Sequence, residues 1–221
     1  MKVLVIGASR GIGLEFVRQY AAAGDEVCGT VRDDEGAARV EALGAKSLRL
    51  DVTDPKGVGV LAAYAKEGQL DVALYVAGIQ GHGGATFPPP PDEFDRIMRT
   101  NVWGAMQAIP QLAPALEAAH GRFVFITSGM GRITNVPDSH NWVYRASKAA
   151  LNMAVACSQT NYREAIFVTM SPGWVRTDLG GPNAKLSVEE SVTPMRATIA
   201  NLTKAHQGAF LNQDGSPISG W

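Results

Sequence analysis

The sequence predicts an α/β fold in one domain over residues 1–221, built on a mostly parallel, seven-stranded sheet with helices on both faces. Three observations predict it. Apolar strand-like runs recur at residues 2–7, 26–31, 47–51, 70–77, 122–127 and 165–170, with a weaker one at 208–211. Helix-like stretches fall between them, at roughly residues 11–23, 34–43, 55–67, 92–118, 143–162 and 187–204, and strict alternation of strand and helix makes neighbouring strands parallel. The strands are apolar at nearly every position instead of every second one, as in a sheet buried on both faces. Together these describe a doubly wound, Rossmann-like sheet, which binds its ligands beyond the carboxyl ends of its strands.

The chain's 221 residues, 46% of them hydrophobic, suffice for one well-buried core and are few for two. The opening run Met1 to Ile6 is too short for a signal-peptide core or a membrane span, so the cytoplasm is the expected compartment. Cys28 lies in a strand-like run and Cys157 in a helix-like one, with no metal-ligand spacing around either, and both are expected to be reduced core thiols. Twenty basic and twenty-one acidic residues are spread without a block of either sign. That excludes an electrostatic footprint for nucleic acid or membrane and points to a small-molecule partner. Pro88 to Pro91 follow the fourth strand and precede a helix opening at Asp92, so they form a stiff local connector.

Directly after the first strand stands Gly7-Ala8-Ser9-Arg10-Gly11-Ile12-Gly13, leading into a helix. Glycines allow the tight turn and let backbone N–H groups approach a pyrophosphate, to which the helix N-terminus adds partial positive charge. The spacing Gly-x-x-x-Gly-x-Gly differs from the general dinucleotide fingerprint, and alone it is equally compatible with a purely structural turn.

Tyr144-Arg145-Ala146-Ser147-Lys148 opens a helix, and a step of four puts the phenol and the ammonium on one face. A nearby positive charge lowers a tyrosine's pKa from about 10 and equips it to exchange a proton with an alcohol or carbonyl oxygen. An ordinary amphipathic helix start would look the same. Ser128 ends the fifth strand-like run, on the carboxyl edge of the sheet, where its hydroxyl is placed to hold a substrate oxygen or merely to form a turn.

These motifs together resemble the short-chain dehydrogenase/reductase family along almost the whole chain. Gly7-x-x-x-Gly11-x-Gly13 is similar to its cofactor turn and Leu50-Asp51-Val52-Thr53-Asp54 to its adenine-side segment. Val76-Ala77-Gly78 looks like the end of its Asn-Asn-Ala-Gly run. Asn101 falls where the family keeps a catalytic asparagine, and Ser128 and Tyr144-x-x-x-Lys148 match the other catalytic positions. Pro172-Gly173-Trp174-Val175-Arg176-Thr177 is similar to the segment that closes over the nicotinamide. Within the family the short length, the Pro-Gly-Trp-Val-x-Thr-Asp stretch and the ending Gly208 to Gly215 look most like Sniffer-type carbonyl reductases and C-factor proteins.

The resemblance implies Tyr144 as acid/base, Lys148 lowering its pKa and holding the ribose, Ser128 on the substrate oxygen, and Asn101 holding a water that links Lys148 to solvent. It implies cofactor contacts from Gly7, Ser9, Arg10, Gly11, Ile12, Gly13, Arg32, Asp51, Val52, Ala77, Gly78, Tyr144, Lys148, Pro172, Gly173, Val175 and Thr177. The substrate is then a carbonyl or an alcohol. Subunits are expected to pair through the helices at 92–118 and 143–162, as a homodimer or homotetramer. Two departures stand out: Ile6 replaces a common threonine, removing a hydroxyl that ties segments together, and Tyr75-Val76 replace paired asparagines whose amides brace the sheet edge.

The cofactor is expected to be NADP(H), with NADPH preferred to NADH. An acid at the end of the second strand would accept the ribose 2′-OH and repel a 2′-phosphate. Val31 stands there instead, and Arg32 and Arg10 can converge on a phosphate, although Asp33 and Asp34 put negative charge nearby. No metal is expected, since His82, His120 and His206 have no partner at ligand spacing. Asp138, His140 and Trp142 are as consistent with a solvated loop carrying one packed aromatic as with a substrate pocket. Trp103 reads as a packing or subunit-contact residue, and Asp33, Asp34 and Glu35 as helix-start acids. Two functions compete: an NADP-dependent oxidoreductase, and a cofactor-binding signalling or regulatory protein with little turnover. The retention of Asn101, Ser128, Tyr144 and Lys148 together favours the enzyme.

Overall fold

The computed structural model describes residues 1–219. Seven strands, β1 (Lys2–Ile6), β2 (Glu26–Val31), β3 (Lys46–Arg49), β4 (Val72–Tyr75), β5 (Arg122–Ile126), β6 (Ile166–Ser171) and β7 (Phe210–Asn212), form one sheet in the order β3-β2-β1-β4-β5-β6-β7. Every neighbouring pair is parallel, the short β7 included. Seven helices cross between strands: α1 (Gly11–Ala22), α2 (Asp34–Glu41), α3 (Gly59–Ala65), α4 (Pro91–Met98), α5 (Gly104–Ala118), α6 (Trp142–Ser158) and α7 (Val188–Ala200).

The period of two along each strand feeds two cores. Val3 and Val5 of β1 meet Phe16 and Val17 of α1 and Met195 of α7 on one face. Leu4 and Ile6 meet Leu112 of α5 and Leu151 of α6 on the other. All five β1 residues are therefore buried, which is why its sequence shows no alternation. The strand order reverses at β1, flanked by β2 on one side and β4 on the other, and this reversal opens a crevice at the carboxyl ends of β1 and β4.

Three expectations need correction. The helix expected over 92–118 is α4, a π turn at Arg99–Trp103, and α5, with Pro91 in its first turn. The stretches at 55–67 and 187–204 are helical only over α3 and α7. Asp54 draws the Lys56 N–H to its carboxylate and the Gly57 N–H to its carbonyl, which holds the chain in a turn before α3. Cys157 is exposed, not a core thiol, whereas Cys28 is buried. Leu151 and Val155 set the buried stripe of α6, and a residue two positions beyond Val155 lies about 200° around the helix from it. Among the described residues no helix is long and apolar enough to cross a membrane.

Candidate active site

The glycine turn emerges from β1 under steric constraints that only glycine meets. Gly7 has φ +91°, and a Cβ there would lie 2.7 Å from the Ala77 nitrogen; one on Gly13 would lie 2.0 Å from the Gly7 carbonyl oxygen. The turn thus presses against the end of β4 and against the start of α1. Arg10, the N-cap of α1, makes no side-chain cap bond, and the first turn carries no acid. The helix's N–H groups and partial positive charge therefore face the crevice without an internal anion, which fits a pyrophosphate.

Neighbouring elements hold this turn with residues that the motifs did not single out. The Gly7 N–H donates to Thr30 Oγ1 at 2.9 Å, so β2 supplies the hydroxyl that Ile6 lacks. Arg39 Nε of α2 donates to the Ser9 carbonyl at 2.8 Å. Asp33 caps α2 by accepting the Gly36 N–H at 2.7 Å, and Asp34 pairs with Arg49. Both acids that weighed against a 2′-phosphate are thus engaged elsewhere, while Arg32 stands exposed at the end of β2. Across the crevice, burial would raise the Asp51 carboxyl, but bonds from the Thr53 N–H and hydroxyl and the Arg32 charge carry it below its ordinary value. Asp51 and the buried Val52 thereby form an ordered wall beside Arg32.

At the carboxyl ends of β4 and β5 the proposed reacting groups converge. Tyr144 and Lys148 lie one turn apart on α6 and are 6% and 3% exposed, deep enough for their charges to be governed by the protein. Ser128 stands beside the Tyr144 hydroxyl and draws its pKa down, and Ser128 Oγ accepts the Met130 N–H at 3.1 Å. Lys148 Nζ donates to the Ile126 carbonyl at 2.9 Å and lies 5.6 Å from the centre of the Tyr144 ring. Burial pushes the phenol up to about 12, against a smaller lowering by Ser128, and pushes the ammonium down to about 8. Burial thus outweighs the lowering of the tyrosine that an adjacent ammonium would produce.

Asn101 is fully buried in the π turn and joins two elements. Its carboxamide accepts the Ile79 N–H and donates to the Ile79 carbonyl, both at 2.8 Å, and donates to Ser147 Oγ at 2.9 Å. Ser147 in turn donates to the Tyr144 carbonyl at 2.7 Å. A Cβ on Gly78 would stand 3.3 Å from Lys148 Nζ and 3.5 Å from Asn101 Oδ1, so the Ala77-Gly78 backbone passes directly beside both. Ser147 was legible inside the Tyr-x-x-Ser-Lys spacing, and Thr30 would have emerged from asking which hydroxyl replaces the one missing at Ile6.

The segment from Pro172 covers the crevice as a self-braced loop. Ser191 Oγ holds the Pro172 carbonyl at 2.7 Å, Gly173 turns with φ +79°, and Val175 bridges to Leu186. Trp174 Nε1 donates to the Gly180 carbonyl at 2.8 Å, folding the loop on itself. Thr177 reaches the glycine turn, its Cγ2 lying 3.3 Å from where a Cβ on Gly11 would be. Arg10 Nη1 and Asp178 Oδ2, 2.8 Å apart, join the two segments. Asp138 caps the His140 N–H and pairs with Arg145, and with Trp142 it lines a groove of about 470 Å³ beside the site.

The family model of short chain dehydrogenases matches residues 1–186. C-signal of Myxococcus xanthus is 36% identical over 154 residues, covering 68% of this chain and 93% of that protein. The crystal structure of NADPH-bound carbonyl reductase from chicken fatty liver superposes with a TM-score of 0.90 at 31% identity, covering 100% of this chain and 98% of that one. Carbonyl reductase Sniffer of D. melanogaster superposes with a TM-score of 0.91 at 27% identity, covering 100% and 99%. Since the family match spans most of the chain and both the sheet order and the glycine turn agree with it, the chain belongs to the short-chain dehydrogenase family.

Proposed function

We propose that the chain interconverts a carbonyl (aldehyde, ketone or quinone) and an alcohol with NADP(H), using Tyr144 as the acid/base. The observation that carries this reading is the convergence of Ser128 and Tyr144 at the strand ends, with Lys148 one helical turn behind and its Nζ 5.6 Å from the centre of the phenol ring. Gly7, Ser9, Gly11, Ile12 and Gly13 would receive the pyrophosphate, and Arg10 and Arg32 a 2′-phosphate. Asp51, Val52, Ala77 and Gly78 would flank the adenosine and the ribose, and Pro172, Gly173, Val175 and Thr177 would cover the nicotinamide. The bound cofactor supplies the hydride, and the protein supplies position and charge.

Ser128 Oγ holds the substrate oxygen, and Tyr144 Oη delivers the proton that this oxygen needs as it becomes an alcohol. A phenol pushed up to about 12 stays protonated through neutral pH, which suits reduction. Lys148, charged below about 8, stabilises the phenolate left after proton transfer. Met106 on α5 and Met153 on α6 are 53% and 63% exposed, and we place subunit contacts on these faces. The cytoplasm remains the proposed compartment.

The likeness to C-signal favours a second reading, a cofactor-binding signalling protein with little turnover. One experiment separates the two: NADPH consumption by the wild type and Tyr144→Phe against a panel of aldehydes, ketones and quinones. Consumption by the wild type alone supports the enzyme. Tight NADPH binding without consumption across the panel supports the signalling protein.

A further inference from the structure

The family's paired asparagines at the end of β4 are absent here, and Tyr75 stands in the first of the two positions. Its ring is fully buried at the core end of β4 and stacks on Phe125 at 6.1 Å between ring centres. Its hydroxyl donates to the Thr100 carbonyl at 2.8 Å.

That carbonyl belongs to the π turn. In an unbroken α-helix the Thr100 oxygen would accept the Gly104 N–H, four residues on. Here the Gly104 N–H goes to Arg99, five residues back, which deprives Thr100 of this partner. A half-buried carbonyl left so would cost free energy and draw the turn back towards α-helical register. The Tyr75 hydroxyl supplies the bond instead. Gly104 makes room for it, since a Cβ there would lie 2.5 Å from the Tyr75 oxygen and 2.9 Å from Val52 Cβ.

Asn101 follows Thr100 directly and holds both Ile79 and Ser147. We propose that Tyr75 is a positioning residue for the active site: its hydroxyl locks the π turn at Thr100 and thereby aims Asn101 at the Gly78–Ile79 backbone and at the first turn of α6. Through Ser147 and Gly78 this brace sets the surroundings of Tyr144 and Lys148. The inference rests on the reading of those two residues as the proton-handling pair.

The test compares kcat, its pH profile and NADPH affinity in the wild type, Tyr75→Phe, Asn101→Ala, the double variant and Tyr144→Phe, with a carbonyl that the wild type reduces. Tyr75→Phe is expected to lower kcat roughly two- to tenfold, the worth of one hydrogen bond, and to move the alkaline limb of the profile, with NADPH affinity unchanged. In the Asn101→Ala background the same change should cost nothing further, because the brace then has nothing to aim. An unchanged kcat and pH profile in Tyr75→Phe, or an equal loss with and without Asn101, overturns the proposal. Should Tyr75→Phe not fold, Gly104→Ala displaces the hydroxyl without removing it, and the same comparison applies. Wild-type kcat in Tyr144→Phe would overturn the reading of the site itself, whereas an inactive Tyr144→Phe beside an unaffected Tyr75→Phe would overturn only the brace.

Discussion

Lys148 Nζ donates to the Ile126 carbonyl at 2.9 Å, one helical turn from Tyr144, in surroundings that leave it 3% exposed. A buried ammonium with a single carbonyl partner is poorly compensated for the water it has lost. Its pKa falls accordingly from 10.5 to about 8, equivalent to roughly 3 kcal/mol.

The sign of the resulting pH dependence follows from proton counting. Between about pH 8 and pH 10.5 the unfolded chain keeps a proton on Lys148 that the folded chain has released, so stability rises with pH across that window. Denaturant melts of wild type and Lys148→Met should show the wild type gaining about 3 kcal/mol relative to the variant between pH 7 and pH 10.5. Tyr144, pushed up to about 12, contributes stability that is lost only above pH 10 and is common to both proteins. A pH-independent difference between the two would show that the lysine is not buried as charge.

Tyr144→Phe removes the transferable proton and leaves the rest of the site in place. kcat should fall about 10²- to 10⁴-fold with NADPH affinity nearly intact. Ser128→Ala removes the neighbour that draws the Tyr144 phenol down and the acceptor of the Met130 N–H. Its kcat/KM should fall by the equivalent of about 2–4 kcal/mol if it holds the developing charge on the substrate oxygen. Steady-state kinetics on both variants check this, and wild-type values in either remove that residue from the chemistry.

What was legible in the sequence is what is local. The step from Tyr144 to Lys148 is fixed by helical geometry, and the burial of β1 on both faces is written in four consecutive apolar residues, Val3 to Ile6. The π turn at Asn101 was not legible, because it depends on a hydroxyl 25 residues away on β4. Neither was the substitution of Thr30 for the missing threonine, which requires knowing that β2 lies beside β1 in parallel register. In the cover loop, Gly180 is what lets the chain close, since a Cβ there would lie 2.0 Å from the Val175 carbonyl oxygen. Composition cannot distinguish a glycine that loosens a chain from one that lets it close.

Cofactor choice turns on the end of β2. Val31 is buried and carries no acid for a ribose 2′-OH, Asp33 and Asp34 are engaged, and Arg32 is exposed beside Asp51. NADPH should therefore be preferred to NADH, and Arg32→Ala should lose kcat/KM with NADPH by about one order of magnitude or more, as expected for a charge-assisted bond, without loss for NADH. Kinetics with each cofactor decide it: a wild-type preference for NADH, or an equal loss with both, takes Arg32 off the phosphate.

The Arg10–Asp178 pair makes a further prediction about the same phosphate. Its atoms are 2.8 Å apart, with side chains 69% and 74% exposed, so water screens the pair and it holds the cover loop only weakly. Arg10 also stands in the glycine turn, where a 2′-phosphate would compete with the Asp178 carboxylate for the same guanidinium. The carboxylate opposes NADPH twice, by occupying Arg10 and by repelling the incoming charge. Asp178→Asn should then tighten NADPH binding by up to about fivefold, the range expected for an exposed ion pair, and leave NADH binding unchanged. The gain should shrink as salt is raised, since both effects are screened, and should vanish in an Arg10→Ala background. Fluorescence titration of both cofactors at two ionic strengths measures it. Equal tightening of NADPH and NADH would mean that the substitution acts by freeing the cover loop, and Arg10 would then be a tether between the two segments and not a phosphate ligand.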